Sequence, residues 1–159
     1  MDVKRSVVGC MCDTGKLMKI MLELMEARKG ERDNFMNIAS KLILPYSQDW
    51  FESVFGDELG KMLGHEYNAL LQEMEKELPD FFGRVLDRGL TEVQIKCICS
   101  IEDKDATELQ RIAMMSMQKP VKLYTVRFVN PGSLMGISLW SFVYHEGEFR
   151  FVGKMNALQ

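Results

Sequence analysis

The sequence predicts an α+β fold in which helices of the first half pack on an antiparallel sheet formed by the second half. Three observations carry this. Apolar residues recur at helical spacing from Leu17 to Leu86, the spacing switches to two from Val93 onward, and residues 136–154, GISLWSFVYHEGEFRFVGK, read as two strands joined by a tight turn. In that hairpin Ile137, Leu139, Ser141 and Val143 alternate with Ser138, Trp140, Phe142 and Tyr144, so neither face is wet. A hairpin apolar on both sides needs helices on one face and another layer, either sheet or subunit, on the other.

The elements follow in order. Residues 13–29 read as a helix that Asp13 can cap and Gly30 stops, with Leu17, Met21 and Leu24 on one face and Met18, Leu22 and Met25 widening the apolar arc. A second helix spans 33–44 and ends at Pro45. Ser47 caps a short one carrying Trp50, Phe51, Val54 and Phe55, and Asp57 caps a long one with Leu63, Tyr67, Leu70, Met74 and Leu78 in register. Pro79 forces a break or kink there, and 80–88 adds a last turn or two before Gly89. Val93, Ile95, Cys97, Cys99 and Ile101 then alternate with polar residues as a strand with one wet face. Asp105 and Glu108 have capping-box spacing ahead of a helix ended by Pro120. Residues 121–129 form the next strand, Asn130, Pro131, Gly132 and Ser133 turn the chain, and the hairpin completes the sheet, with Gly147 taking positive φ.

Composition narrows the function classes. The chain has 159 residues, 47% hydrophobic and 27% charged, with net charge −3, so it reads as one soluble domain with no basic patch for nucleic acid. Residues 47–80 hold nine acids against two bases, an outer helix face unsuited to phosphate or anionic lipid. Residues 1–30 form a helical extension of an α+β core at 31–159. Lys4 to Cys10 faintly resembles a lipoprotein signal, but its apolar run is two valines, and Leu17 to Met25 is broken by Lys19 and Glu23. The protein is therefore expected to be cytoplasmic, without a membrane segment.

The four cysteines fall as Cys10/Cys12 and Cys97/Cys99. A four-thiolate metal site usually separates paired ligands by two to four residues, so these are read as buried free thiols, and neither metal nor cofactor is expected. GCMCDTGK, at 9–16, lacks the spacing and the following Ser or Thr of a phosphate loop.

Helices followed by a sheet ending in an aromatic hairpin resemble the nuclear transport factor 2-like superfamily. Two stretches, LILPYSQDWFESVFGDELGKMLGHEY at 42–67 and FVYHEGEFRFVGK at 142–154, look like segments of uncharacterised bacterial proteins in it. The likeness covers about 33–154. It implies a cone with a strongly curved antiparallel sheet, and a pocket between helices and sheet that some members use for isomerase or dehydratase chemistry and others for binding alone.

The leading functional reading is a non-enzymatic binding or protein-interaction domain holding a small hydrophobic ligand, with Trp50, Tyr67, Trp140 and Tyr144 as lining residues that carry polar handles. The alternative is an isomerase or lyase acting on a small hydrophobic carbonyl compound, with His65, Asp49 or Glu66 as base; His145 sits in the hairpin turn. An apolar sheet face left open predicts a homodimer through it.

Overall fold

A computed structural model describes residues 12–159. Cys10, the signal-like run and Gly9 of the GCMCDTGK stretch lie outside these residues. The described chain contains five α-helices and a four-stranded antiparallel sheet. Helices α1 (Gly15–Arg28), α2 (Arg32–Ser40), α3 (Ser47–Phe55) and α4 (Asp57–Asp87) come first. Strand β1 (Glu92–Ile98), helix α5 (Glu108–Ser116), and strands β2 (Leu123–Val129), β3 (Gly136–His145) and β4 (Glu148–Phe151) follow, then a 3-10 turn at Asn156–Leu158. The strand order is β1-β2-β3-β4, every pairing antiparallel. The sheet is not strongly curled, in contrast to the strong curvature that the sequence suggested.

Both faces of the sheet are occupied from within the chain, at least in part. On one face Tyr124, Val126 and Phe128 of β2 share a core with Leu17, Met21 and Leu24 of α1, Phe35 of α2, and Leu78, Phe82 and Val85 of α4. Helix α1 thus contributes three wholly buried side chains to this main core. On the other face Leu123, Ile98 and Val143 pack with Ala113 of α5 and with Phe51 and Phe55 of α3. Gln110 of α5 pins that contact: its Nε2 donates to Thr125 Oγ1 (2.7 Å) and Ser141 Oγ (3.1 Å). A bulge at Ser141, where Tyr124 faces Phe142 but Thr125 faces Trp140, shifts the alternation of β3 by one residue. Leu139 before the bulge and Phe142 after it consequently reach the same core.

Four local expectations are corrected. Helix α4 runs unbroken through Pro79. Proline lacks the N–H that would bond the Glu75 carbonyl, and the Arg32 guanidinium donates to that carbonyl instead (2.8 Å), while Arg28 Nε donates to the Pro79 carbonyl (2.8 Å). The capping box before α5 is Thr107 with Gln110, both of its bonds being present, not Asp105 with Glu108. Ser47 does not cap α3; it is the first helical residue, after Tyr46 in the left-handed conformation. Helix α2 stops at Ser40, which frees Leu42 to Leu44 to line the outer edge of β4: Phe151 N donates to Leu42 O (2.7 Å), and Ile43 bridges Phe151.

Candidate functional site

A cleft of about 890 Å³ lies between α4 and the strands β3 and β4 with the chain that follows them. One wall is a stripe along α4, comprising Tyr67, Leu70, Met74 and Phe81, residues that helical spacing brings to one side. Ile137, Leu139 and Trp140 of β3 face it, and Met155 and Asn156 close one end. The charged lining residues are mixed in sign: Glu66, Glu77 and Asp80 against Lys76, Arg84 and Lys154. Lys154 Nζ stands 5.2 Å from the centroid of the Trp140 ring, a cation over an aromatic face at the cleft wall.

Of the aromatic candidates the structure brings Tyr67 and Trp140 to this cleft and leaves Trp50 and Tyr144 out of it. Trp50 is buried against Phe51 (5.0 Å) and Phe55 (6.4 Å) in the α3 core. Tyr144, past the bulge, is 52% exposed and packs edge-on against Phe149 at 5.0 Å. Tyr67 lines the α4 wall of the cleft but has a structural task. Its hydroxyl donates to Phe151 O (2.7 Å) and accepts from Leu44 N (2.9 Å), tying α4 to β4 and to the segment beside it. Burial pushes its hydroxyl pKa up to about 12, against the opposing influence of the Leu44 N–H and of Arg150. Burial likewise raises that of Tyr124, with Tyr144 and Asp13 adding to it.

The acid-base candidates are dispersed. Asp49 and His65 are exposed and do not line the cleft. His145 makes a 3.7 Å contact with Glu146 in the hairpin turn. Glu66 does reach the cleft, yet each carboxylate oxygen accepts a backbone N–H of the 3-10 turn, from Asn156 and Ala157, both at 2.9 Å. These bonds anchor the last residues of the chain.

Sequence reasoning missed Leu70, Met74, Phe81, Lys154 and Met155 as lining residues. The signal was there for the helix residues, which continue the stripe of Tyr67 at 67, 70, 74 and 81. No local pattern marks Lys154 or Met155, because the chain after β4 is placed by Glu66 across the fold.

The cysteines also differ from their expected state. Cys97 and Cys99 do point to one side, their sulfurs 3.7 Å apart, but both are half-buried and neither is a free thiol. Cys97 is disulfide-bonded to Cys12, 85 residues away, and Cys99 is disulfide-bonded as well. Cys12, just ahead of α1, and Cys97, near the end of β1, both pack against the main core, which brings the two together. Among the described residues no helix is long and apolar enough to cross a membrane. No protein-family model, curated protein or solved structure matches the chain.

Proposed function

We propose that the protein is a binding domain whose cleft between α4 and β3 takes a small, predominantly apolar molecule with a polar end. The observation that carries this is the lining itself: an apolar stripe of Leu70, Met74 and Phe81 opposite Ile137, Leu139 and Trp140, in about 890 Å³, with Lys154 and Arg84 available to a polar group. That volume and mix match a site for a small organic ligand. Met74 adds a side chain that adapts to irregular shapes. A cleft between long helix and sheet is also what the nuclear transport factor 2-like resemblance implies, and membership of that superfamily belongs to this proposal. Nothing in the lining favours the isomerase or lyase alternative, since Glu66 is engaged by two backbone N–H groups and His65 and Asp49 lie elsewhere.

An anionic naphthalene dye that fluoresces in apolar surroundings tests the reading, together with native mass spectrometry of the freshly purified protein. One dye per chain, Trp140 emission quenched in parallel, and binding weakened roughly tenfold or more by Leu139→Arg with the fold intact would support it. Absence of both dye binding and any co-purified mass, or an unaffected Leu139→Arg variant, would overturn it. Self-association through the remaining open part of the sheet is proposed alongside, with light scattering at tens of micromolar as its test.

A further inference from the structure

The cleft contains something that a small apolar ligand does not require, a length of unpaired strand edge. Strand β3 pairs with β2 from Gly136 to Phe142, but with β4 only from Phe142 to His145. Ser141 is still held on the β4 side, its N–H donating to Gly153 O (3.0 Å) and its carbonyl accepting from Val152 N (2.9 Å). Residues 137–140 then have no neighbour on that side. Residues of a strand turn their N–H and C=O alternately to either side, so this stretch holds backbone donors and acceptors that β2 does not use. Among the described residues no other backbone or side-chain group bonds them.

The gap is made by the chain that leaves it. Gly153, at φ 79, bends away from β3, and a methyl group there would meet Leu70 Cδ1 at 2.8 Å. Met155 follows at φ 58, in the left-handed region that a side chain disfavours. The Glu66 carboxylate then draws Asn156 and Ala157 to α4 through their N–H groups, both at 2.9 Å. The far edge of β4, by contrast, is covered by Leu42 to Leu44. The cleft also has a direction. Phe81 stands 5.6 Å from Phe128, the β2 neighbour of Ile137, at one end, and Lys154 lies over Trp140 at the other. Glu77 and Asp80 follow Glu66 along α4 by about 16 and 21 Å, which puts them toward the Phe81 end. At the Lys154 end the acid in the lining is Glu66, whose two oxygens are taken by backbone N–H groups, and Lys154 has no ion pair among the described residues. That end is left positive.

We propose that the cleft takes a short extended peptide, added as a strand along residues 137–140 of β3, with its free C-terminal carboxylate beside Lys154. The inference rests on the reading of the cleft as a binding site and narrows the ligand to one chemical class. Backbone pairing with the edge holds the peptide, and side chains select it. Those beside Ile137 and Leu139 face the stripe of Leu70, Met74 and Phe81, so every second residue of the peptide is apolar. With its carboxylate at the Trp140 end, the peptide runs parallel to β3. Helix α4 stands across the edge and leaves room for one strand, not for the sheet of a second copy.

The test incubates the full chain with an equimolar mixture of N-acetylated tetrapeptides assembled from Ala, Val, Leu, Phe and Ser, each with a free carboxylate, and reads the retained masses by native mass spectrometry. The best-retained sequence is then titrated by tryptophan emission beside its C-terminal amide and beside two versions N-methylated at alternate residues. One peptide per chain is expected, bound roughly tenfold or more weakly as the amide or by a Lys154→Met variant whose fold circular dichroism verifies. One N-methylated version should lose binding and the other keep it, because only alternate N–H groups point to β3. No peptide retained while the naphthalene dye still binds would overturn the peptide inference and leave the cleft reading standing, whereas neither dye nor peptide bound would remove both. Equal affinity of the two N-methylated versions, of acid and amide, or of wild type and Lys154→Met would each overturn the proposal as well.

Discussion

Replacing Tyr67 by Phe isolates a bracket on which three parts of the fold depend. The ring stays, 1% exposed and 5.6 Å from Phe51, so no cavity opens. What is lost is one hydroxyl with two bonds, a donation to Phe151 O at 2.7 Å and an acceptance from Leu44 N at 2.9 Å. Leu44 and Phe151 are both buried, so water does not readily replace the hydroxyl. Leaving a buried N–H and a buried C=O without this partner costs roughly 1–2 kcal/mol each, and recovering the hydroxyl's own desolvation offsets a little, giving roughly 2–3 kcal/mol.

The pH dependence supplies an independent check on the same residue. With its folded pKa raised from 10.0 to about 12, Tyr67 keeps its proton in the native state over a range in which the unfolded chain has lost it. Stability is therefore full below pH 10 and falls as pH rises toward 12, by about 1.4 kcal/mol per unit or roughly 2–3 kcal/mol in all. Urea unfolding at pH 7 and again near pH 11, wild type beside Tyr67→Phe, measures both effects. The variant should be the less stable at pH 7 with an unchanged denaturant slope, and it should lose less on going alkaline. A difference below about 0.5 kcal/mol at pH 7, or identical alkaline losses, would refute the bracket.

Other positions give sharp expectations. A methyl group on Gly60 would meet the backbone of Glu52, at the crossing of α3 and α4, so Gly60→Ala should cost about 1–3 kcal/mol and lower the melting temperature accordingly; an unchanged melt would show that the helices can separate freely. Gln110→Leu removes bonds to Thr107 N, Thr125 and Ser141 at a residue 1% exposed, and a loss of roughly 2–4 kcal/mol in urea is expected, with no loss arguing that α5 is held by Ala113 alone. Opening the Cys12–Cys97 disulfide across its separation of 85 residues should destabilise the protein by at most about 4–5 kcal/mol on the loop-closure estimate, since the disulfide of Cys99 is retained, and equal midpoints for wild type and Cys12→Ser under oxidising conditions would contradict any contribution.

Elements fixed by local spacing were legible in the sequence: the four N-terminal helices, the hairpin with Gly147 at φ 82, and the buried stripe Leu17, Met21 and Leu24. What escaped depends on partners distant along the chain. Pro79 breaks a helix in isolation, and α4 continues because the Arg32 side chain, 43 residues from Glu75, takes up the Glu75 carbonyl that Pro79 cannot bond. The acidic spacing of Asp105 and Glu108 and the Thr107 and Gln110 pair look alike in sequence, and Gln110 wins because Thr125 and Ser141 await its amide. The cleft was half legible for a similar reason. Trp140 and Tyr144 share a face in an ideal strand, but the bulge at Ser141 puts them in different surroundings, and nothing local announces a bulge.

The same bulge changes how self-association can be tested. An ideal β3 presents Trp140, Phe142 and Tyr144 together as one apolar strip, the ground for expecting a sheet-to-sheet dimer. In the structure Phe142 is wholly buried, Tyr144 packs on Phe149, and Trp140 lies beneath Lys154 at the cleft. The strip is thus dispersed, and a charge at Phe142 would unfold the protein instead of reporting on an interface. The other large exposed apolar side chains on this part of the chain, Leu134 and Met135, sit in the β2–β3 turn at 85% and 70% exposure. Tyr144 is nine residues from Met135, about 30 Å along an extended strand, too far for one compact patch. A dimer through the open sheet must therefore use Trp140. Trp140→Glu that yields a folded monomer from a wild-type dimer would place the interface there; a wild type already monomeric at tens of micromolar would leave Trp140 to the cleft alone.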